Sequence, residues 1–264
     1  MLQRLEIAES SKDQVLCPNC RSAVSSDDIF CGHCGKELKE NPKEKFEDVF
    51  ATLTPSLLYY FITLLLLATY KFTNVFPSGL EGLIGVSVID ILIVISFWIY
   101  NCKELKALFS FSNVNLKIMG LTVVGAIIGS VVVSIIANFI NFSIRDDVFY
   151  DTYLFEDTFQ PFLLATLFIA VQPAIFEEVA FRGFLFNNLR RVTGGTSAVY
   201  ITGFVFGMMH LQIISLMWLI PIGLAFGLLR NKYNTLWYGV VGHFTYNFFI
   251  TLFEFKGWFL VTSL

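Results

Sequence analysis

Hydrophobic residues in this chain run in long blocks, at 53–70, 80–100 and 116–140, followed by a crowded series from about residue 159 onward. A helix needs roughly 20 apolar residues to cross the hydrocarbon of a bilayer, so each block predicts a membrane-spanning helix. Buried helices of a soluble protein occur singly at such lengths, not in succession. From about 158 to 191 the pattern predicts one long helix bent near Pro173. The alternative divides it there, because proline removes a helical hydrogen bond and clashes with the preceding turn. Further crossings are expected at about 197–211, 213–229 and 236–253. The fold class is therefore all-α, a polytopic transmembrane bundle of seven or eight helices.

Composition agrees: of 264 residues 55% are hydrophobic, 29 are Phe and only 15% are charged, against about 25% in ordinary soluble domains. Residues 1–48 contain no continuous apolar stretch of the secretory-signal kind, so the first span is expected to serve as the targeting element. Lys36, Lys39, Lys43 and Lys45 precede span one, and Lys103, Lys106 and Lys117 surround the connection after span two. The positive-inside tendency then puts the N-terminus in the cytosol of a cell-membrane protein. The loop after span three carries Asp146, Asp147, Asp151, Glu156 and Asp157 and would face outward, with Arg145 as a local exception. Arg190, Arg191, Arg230 and Lys232 fall inside in the seven-span arrangement.

Ahead of the membrane region, residues 17–34 read CPNC, ten intervening residues, then CGHC. Cys17, Cys20, Cys31 and Cys34 thus form two C-x2-C pairs, the spacing by which two turns offer four thiolates to one structural zinc. So short a segment has little apolar core, and metal ligation supplies its folding energy. Disulfides or a redox site are the other readings of the spacing. His33 reads as a turn residue and Cys102 as a span-boundary residue. The expected organisation is a cytosolic zinc ribbon at 1–36, a charged linker at 37–50 with Pro55 in the first turn of the following helix, and a membrane domain at 51–264. Residues 1–48 hold seven Lys or Arg against ten Asp or Glu. That balance argues against a nucleic-acid partner, which needs a positive footprint. The ribbon is left with folding, regulation or contact with a protein partner.

Three polar islands interrupt the later apolar sequence, and ionisable groups inside a membrane usually face a partner or a cavity. In EEVAFR, a helix puts Glu178 and Arg182 four positions apart, where they pair, while Glu177 points about 100° away. Arg182 then neutralises Glu178 and leaves Glu177 available as a water-activating base. In FGMMH, Phe206 and His210 are four apart, and His210 is placed to help Glu177 position a water. In HFTYN, His243 and Asn247 share a face and could donate to the oxyanion formed on attack at a carbonyl. An ion-pair network without chemistry accounts equally for the first island taken alone, and histidines also serve as helix contacts. Zinc at this site stays open, since Glu and His are competent ligands, but no H-E-x-x-H is present. Direct activation by glutamate and histidine is the preferred reading.

On these three motifs, EExxxR at Glu177, Glu178 and Arg182, FxxxH at Phe206 and His210, and HxxxN at His243 and Asn247, the chain resembles the CPBP membrane-protease family. That family includes CAAX-type prenyl-protein endopeptidases and bacteriocin-processing or immunity proteins. The resemblance covers about 50–260 and leaves the zinc ribbon as an added module. It implies an intramembrane endopeptidase acting on membrane-associated peptides or proteins, prenylated CAAX-like tails among them. Glu177 would be the base assisted by His210, His243 and Asn247 the oxyanion donors, and Glu178 and Arg182 supports of the catalytic helix. The reading from a different class is a nonproteolytic membrane adaptor or immunity protein that uses its ribbon to bind a partner.

Overall fold

A computed structural model describes residues 14–25, 31, 33–36, 38, 42–144 and 152–258. Glu37 and Lys39 of the expected linker, and Arg145, Asp146, Asp147 and Asp151 of the acidic loop, lie outside the described residues. The chain divides into two compact units, 1–52 and 53–264.

The first unit contains the antiparallel pair β1 (Gln14–Leu16) and β2 (Ala23–Ser25), with Val15 opposite Val24. The boundary between units falls within helix α1 (Pro42–Phe72). Its start lies inside the stretch expected to be a charged linker, and Pro55 sits in the helix interior instead of the first turn. The charged residues before the apolar block extend the helix because Glu and Lys are good helix formers.

The second unit is helical: α2 (Leu80–Tyr100), α3 (Cys102–Leu108), α4 (Leu116–Ile144), α5 (Pro161–Thr193), α6 (Gly195–Met209), α7 (Leu216–Tyr233) and α8 (Trp237–Phe255). With α1 this makes eight helices among the described residues, in an all-α fold. Four of them contain segments long and apolar enough to cross a membrane: Glu47–Phe72, Leu80–Tyr100, Leu116–Ser143 and Pro161–Thr193. Leu57, Leu58, Phe61, Leu65, Leu92, Leu121 and Ile128 on their outer faces are exposed. Water would penalise so much apolar surface, whereas lipid accommodates it.

Helix α5 is not divided at Pro173. It continues through it and absorbs the irregularity in two π-helical stretches, Thr166–Val171 and Val179–Leu185. Gly194, with φ 83°, then turns the chain directly into α6, a backbone conformation that favours glycine.

Successive long helices alternate in direction. At one end Leu236 N–H donates to Leu108 O, Trp237 Nε1 to Phe109 O and Asn115 N–H to the Tyr238 hydroxyl, while Arg191 pairs with Glu104. The starts of α4 and α8 are thereby joined to α3 and to the finish of α5. At the opposite end Lys71 Nζ donates to Leu211 O, 2.9 Å away, between the finishes of α1 and α6.

Helices α6 and α7 approach closely, where Gly203-xxx-Gly207 faces Gly223-xxx-Gly227. A Cβ on Gly223 would stand 2.8 Å from Gly203 O and 3.0 Å from Gly203 Cα, and one on Gly207 2.9 Å from Ile220 Cγ1. Small residues four apart are how membrane helices bring their backbones together in a solvent that gives no hydrophobic reward for helix association. The Gly223→Ala variant should lose about 1–3 kcal/mol through overpacking, read as a lower melting temperature of the purified protein. Gly125, whose added Cβ meets nothing within 4 Å, should tolerate Ala without loss; equal melting points for both variants would contradict this packing.

Candidate active site and metal centre

In the first unit the four cysteines converge. All four sulfurs lie within 4.8 Å of one another, with Cys17 Sγ 3.7 Å from Cys34 Sγ and Cys20 Sγ 3.6 Å from Cys31 Sγ. A tetrahedral zinc with metal–sulfur bonds of about 2.3 Å has sulfur–sulfur edges of about 3.8 Å, so the donor set fits. The cysteines are free thiols, not disulfides.

Two equivalent turns build the cluster: Arg21 N–H bonds to Cys17 O and Gly35 N–H to Cys31 O. Arg21 and Gly35, each following the second cysteine of its pair, both adopt positive φ, 60° and 70°. Asn19 Nδ2 lies 3.6 Å from Cys34 Sγ. Hydrogen bonding to the side chain and backbone of Ser22 draws the Cys20 thiol from 9.0 down to about 6, while burial and the thiols of Cys20 and Cys17 push Cys31 up to about 11. The ribbon is thus a four-cysteine cluster capable of holding a structural metal.

In the second unit, Glu178 and Arg182 pair as their spacing predicts, Nη1 to Oε1 at 2.7 Å, with both side chains buried. His243 Nδ1 approaches the same Oε1 to 3.3 Å. A carboxylate only accepts, so Nδ1 carries the hydrogen. Arg182 Nη2 donates to Gly223 O at 3.0 Å, tying α5 to the close-packed α7. The Arg182 guanidinium also lies 4.7 Å from the centre of the Phe206 ring, and that ring makes edge contacts with His210 and His243. Phe206 therefore separates and positions the two histidines. Gly239 lets α8 approach α5, because a Cβ there would collide with Glu178 Oε2.

His210 ends α6, and its Nδ1 lies 2.9 Å from Phe206 O. The carbonyl makes Nδ1 the donor and Nε2 the acceptor nitrogen. Glu177 takes no part in the ion pair; its Oε2, like Glu178 Oε2, is buried and has no hydrogen-bond partner. His243, Asp90, Glu178 and Arg182 lie within its electrostatic range. Asn247 is engaged elsewhere: its Nδ2 donates to Ile169 O at 2.8 Å. Pro173 has no N–H to give that carbonyl its α-helical bond, and Asn247 supplies the donor.

Glu178, Arg182, Phe206 and His243 are thus in direct contact, and His210 joins them through Phe206. Two charged residues in the interior were not singled out from the sequence as site residues. Asp90 has a buried Oδ1 without a partner; the signal was a lone acid in an apolar run. Arg230, expected only as a cytosolic charge, is buried with its Nε 2.9 Å from Arg182 O. No linear pattern announces that contact.

The Glu178–His243 pair is buried in a helical unit with segments long and apolar enough to cross a membrane, and it is consistent with a catalytic Glu/His pair. Residues 159–249 match the family described as type II CAAX prenyl endopeptidase Rce1-like. That segment contains all three motifs, and over those residues the chain is similar to that family. No curated protein and no solved structure matches the chain.

If the four-cysteine cluster is a closed tetrahedral site, the purified full-length protein should contain about one zinc per chain by elemental analysis. The Cys31→Ser variant should fall well below that. Stoichiometric zinc retained in the variant would contradict a four-cysteine site.

Proposed function

We propose that the chain is an intramembrane endopeptidase in which Glu177 activates water for attack on a peptide carbonyl. The observation that carries this reading is the unpartnered, buried Glu177 Oε2 on a residue outside the ion pair, beside Glu178, whose Oε1 is held by Arg182 and His243 while its Oε2 also has no partner. A buried acceptor without a partner is costly in a folded protein, and a water or substrate group satisfies it. Glu177 takes the water proton as the oxygen attacks, and His210 Nε2 accepts from the same water.

The tetrahedral oxyanion is stabilised by His243 Nε2–H and by the second N–H of Asn247. Collapse of the intermediate breaks the C–N bond, and Glu177 returns its proton to the leaving amine. These steps use no metal at the membrane site.

The match to prenyl endopeptidases supports membrane-associated substrates, with prenylated CAAX-like tails as the first class to assay. Seven crossings follow if α6, α7 and α8 span with α1, α2, α4 and α5. Lys103, Lys106, Lys117, Arg190, Arg191, Arg230 and Lys232 lie toward the end where α3, α7 and the starts of α4 and α8 meet. The positive-inside rule makes that end cytosolic; in chain order a ribbon at 1–36 and a linker at 37–50 precede the membrane domain at 51–264.

The Glu177→Gln variant, assayed on a panel of prenylated and unmodified membrane peptides, should lose at least about a hundredfold in turnover, the scale of a lost general base, while its melting temperature stays close to wild type. Undiminished cleavage removes Glu177 from the mechanism. Biological activity that survives without cleavage favours the adaptor reading.

A further inference from the structure

The basic end of the helices holds an unneutralised pair of arginines. Arg230 Nη1 donates to Asn234 Oδ1 at 2.7 Å, and Arg190 Nη1 reaches the same oxygen at 3.5 Å. Two guanidinium ions therefore converge on one neutral amide oxygen. The other contacts of Arg230 are neutral as well: Arg182 O, Asn187 Oδ1 at 2.5 Å, and the face of the Phe186 ring at 5.0 Å. Among the described residues neither Arg190 nor Arg230 forms an ion pair with a carboxylate, and the neighbouring Glu104 is taken by Arg191.

Removing charge from water is expensive unless an opposite charge accompanies it. Arg230 is only 3% exposed, so the missing counterion is a structural demand. Beside it an open cavity of about 510 Å³ is lined by Glu104, Asn187, Arg190, Arg191 and Asn234. Asn187 and Asn234 are the two amides that Arg230 holds. The left-handed conformation of Asn234, φ 51°, closes α7 and aims its side chain back at Arg230 and Arg190.

We propose that Arg190, Arg230 and their two asparagines form an anion site for a phosphate group, supplied by a phospholipid headgroup or by a free phosphate. Guanidinium forks match phosphate oxygens geometrically and are weakly hydrated for cations. Because Arg230 also donates to the Arg182 carbonyl in the second π stretch of α5, an occupied site would brace the helix that carries Glu177 and Glu178. The site is independent of the proteolytic reading.

The test is thermal unfolding of the full-length protein in phosphatidylcholine nanodiscs, with inorganic phosphate titrated against chloride of matched ionic strength, and again with phosphatidylglycerol included. A ligand at about ten times its Kd raises the melting temperature of a chain this size by roughly 3–6 °C. Arg190→Gln, at an exposed position, should cut the response about tenfold in apparent affinity. Asn234→Asp puts a carboxylate between the two guanidinium ions; it should melt above wild type without added anion and respond little to either probe. A response to inorganic phosphate in neutral lipid identifies a small-phosphate site, and a response confined to phosphatidylglycerol identifies a headgroup site. Responses no larger than those to chloride, or a full response retained by either variant, overturn the proposal.

Discussion

The arrangement of the membrane unit depends on one buried ion pair. Among the described residues Arg182 is the largest fully buried side chain, and Glu178 is buried with it. Neither ion is stable alone in this environment, since an unpaired charge there costs several kcal/mol. Their pairing within one turn of α5 makes both tolerable and leaves three further groups to satisfy. His243 from α8 takes a share of Glu178, Gly223 O from α7 accepts from Arg182, and Phe206 from α6 covers the guanidinium face. Four helices are thereby set in register by a single charged centre, and the glycine contacts between α6 and α7 follow from the short distance this imposes.

Helix α5 shows why the centre can be so compact. In the second π stretch the Phe186 N–H bonds back to Phe181 O in place of Arg182 O, and Arg230 donates to Arg182 O. In the first, Pro173 leaves Ile169 O short of a donor and Asn247 supplies it. Irregular backbone at membrane depth is tolerated only where other groups satisfy it. Both side chains that do so come from the two helices following α6. Asn247 therefore holds α5 in place with one N–H, and in the proposed mechanism the second serves the reacting carbonyl.

Much of this was legible in the residue order. The four-residue spacings predicted the Glu178–Arg182 pair, and paired C-x2-C spacings predicted the thiolate cluster, because both depend on local geometry. Helices α2 and α4 follow the apolar blocks closely. The start of α1 at Pro42 was missed because charged helix-formers carry no periodic apolar signal, and the continuity of α5 through Pro173 was undetermined because a π turn leaves no mark in the sequence. The contacts of Glu178 with His243, of Arg230 with Arg182 and of Asn247 with Ile169 span 65, 48 and 78 residues. Such pairings are products of packing, so the motifs singled out candidate residues without specifying which partner each one takes.

A double-mutant cycle on Glu178→Gln and Arg182→Gln, read by equilibrium unfolding of the purified protein, tests the central place of the ion pair most directly. Each single change strands a buried charge and should cost about 3–5 kcal/mol. The double change removes both charges and should cost less than the sum by about 2 kcal/mol or more. Single costs that are small, or that add to within about 0.5 kcal/mol as for independent sites, would contradict the account.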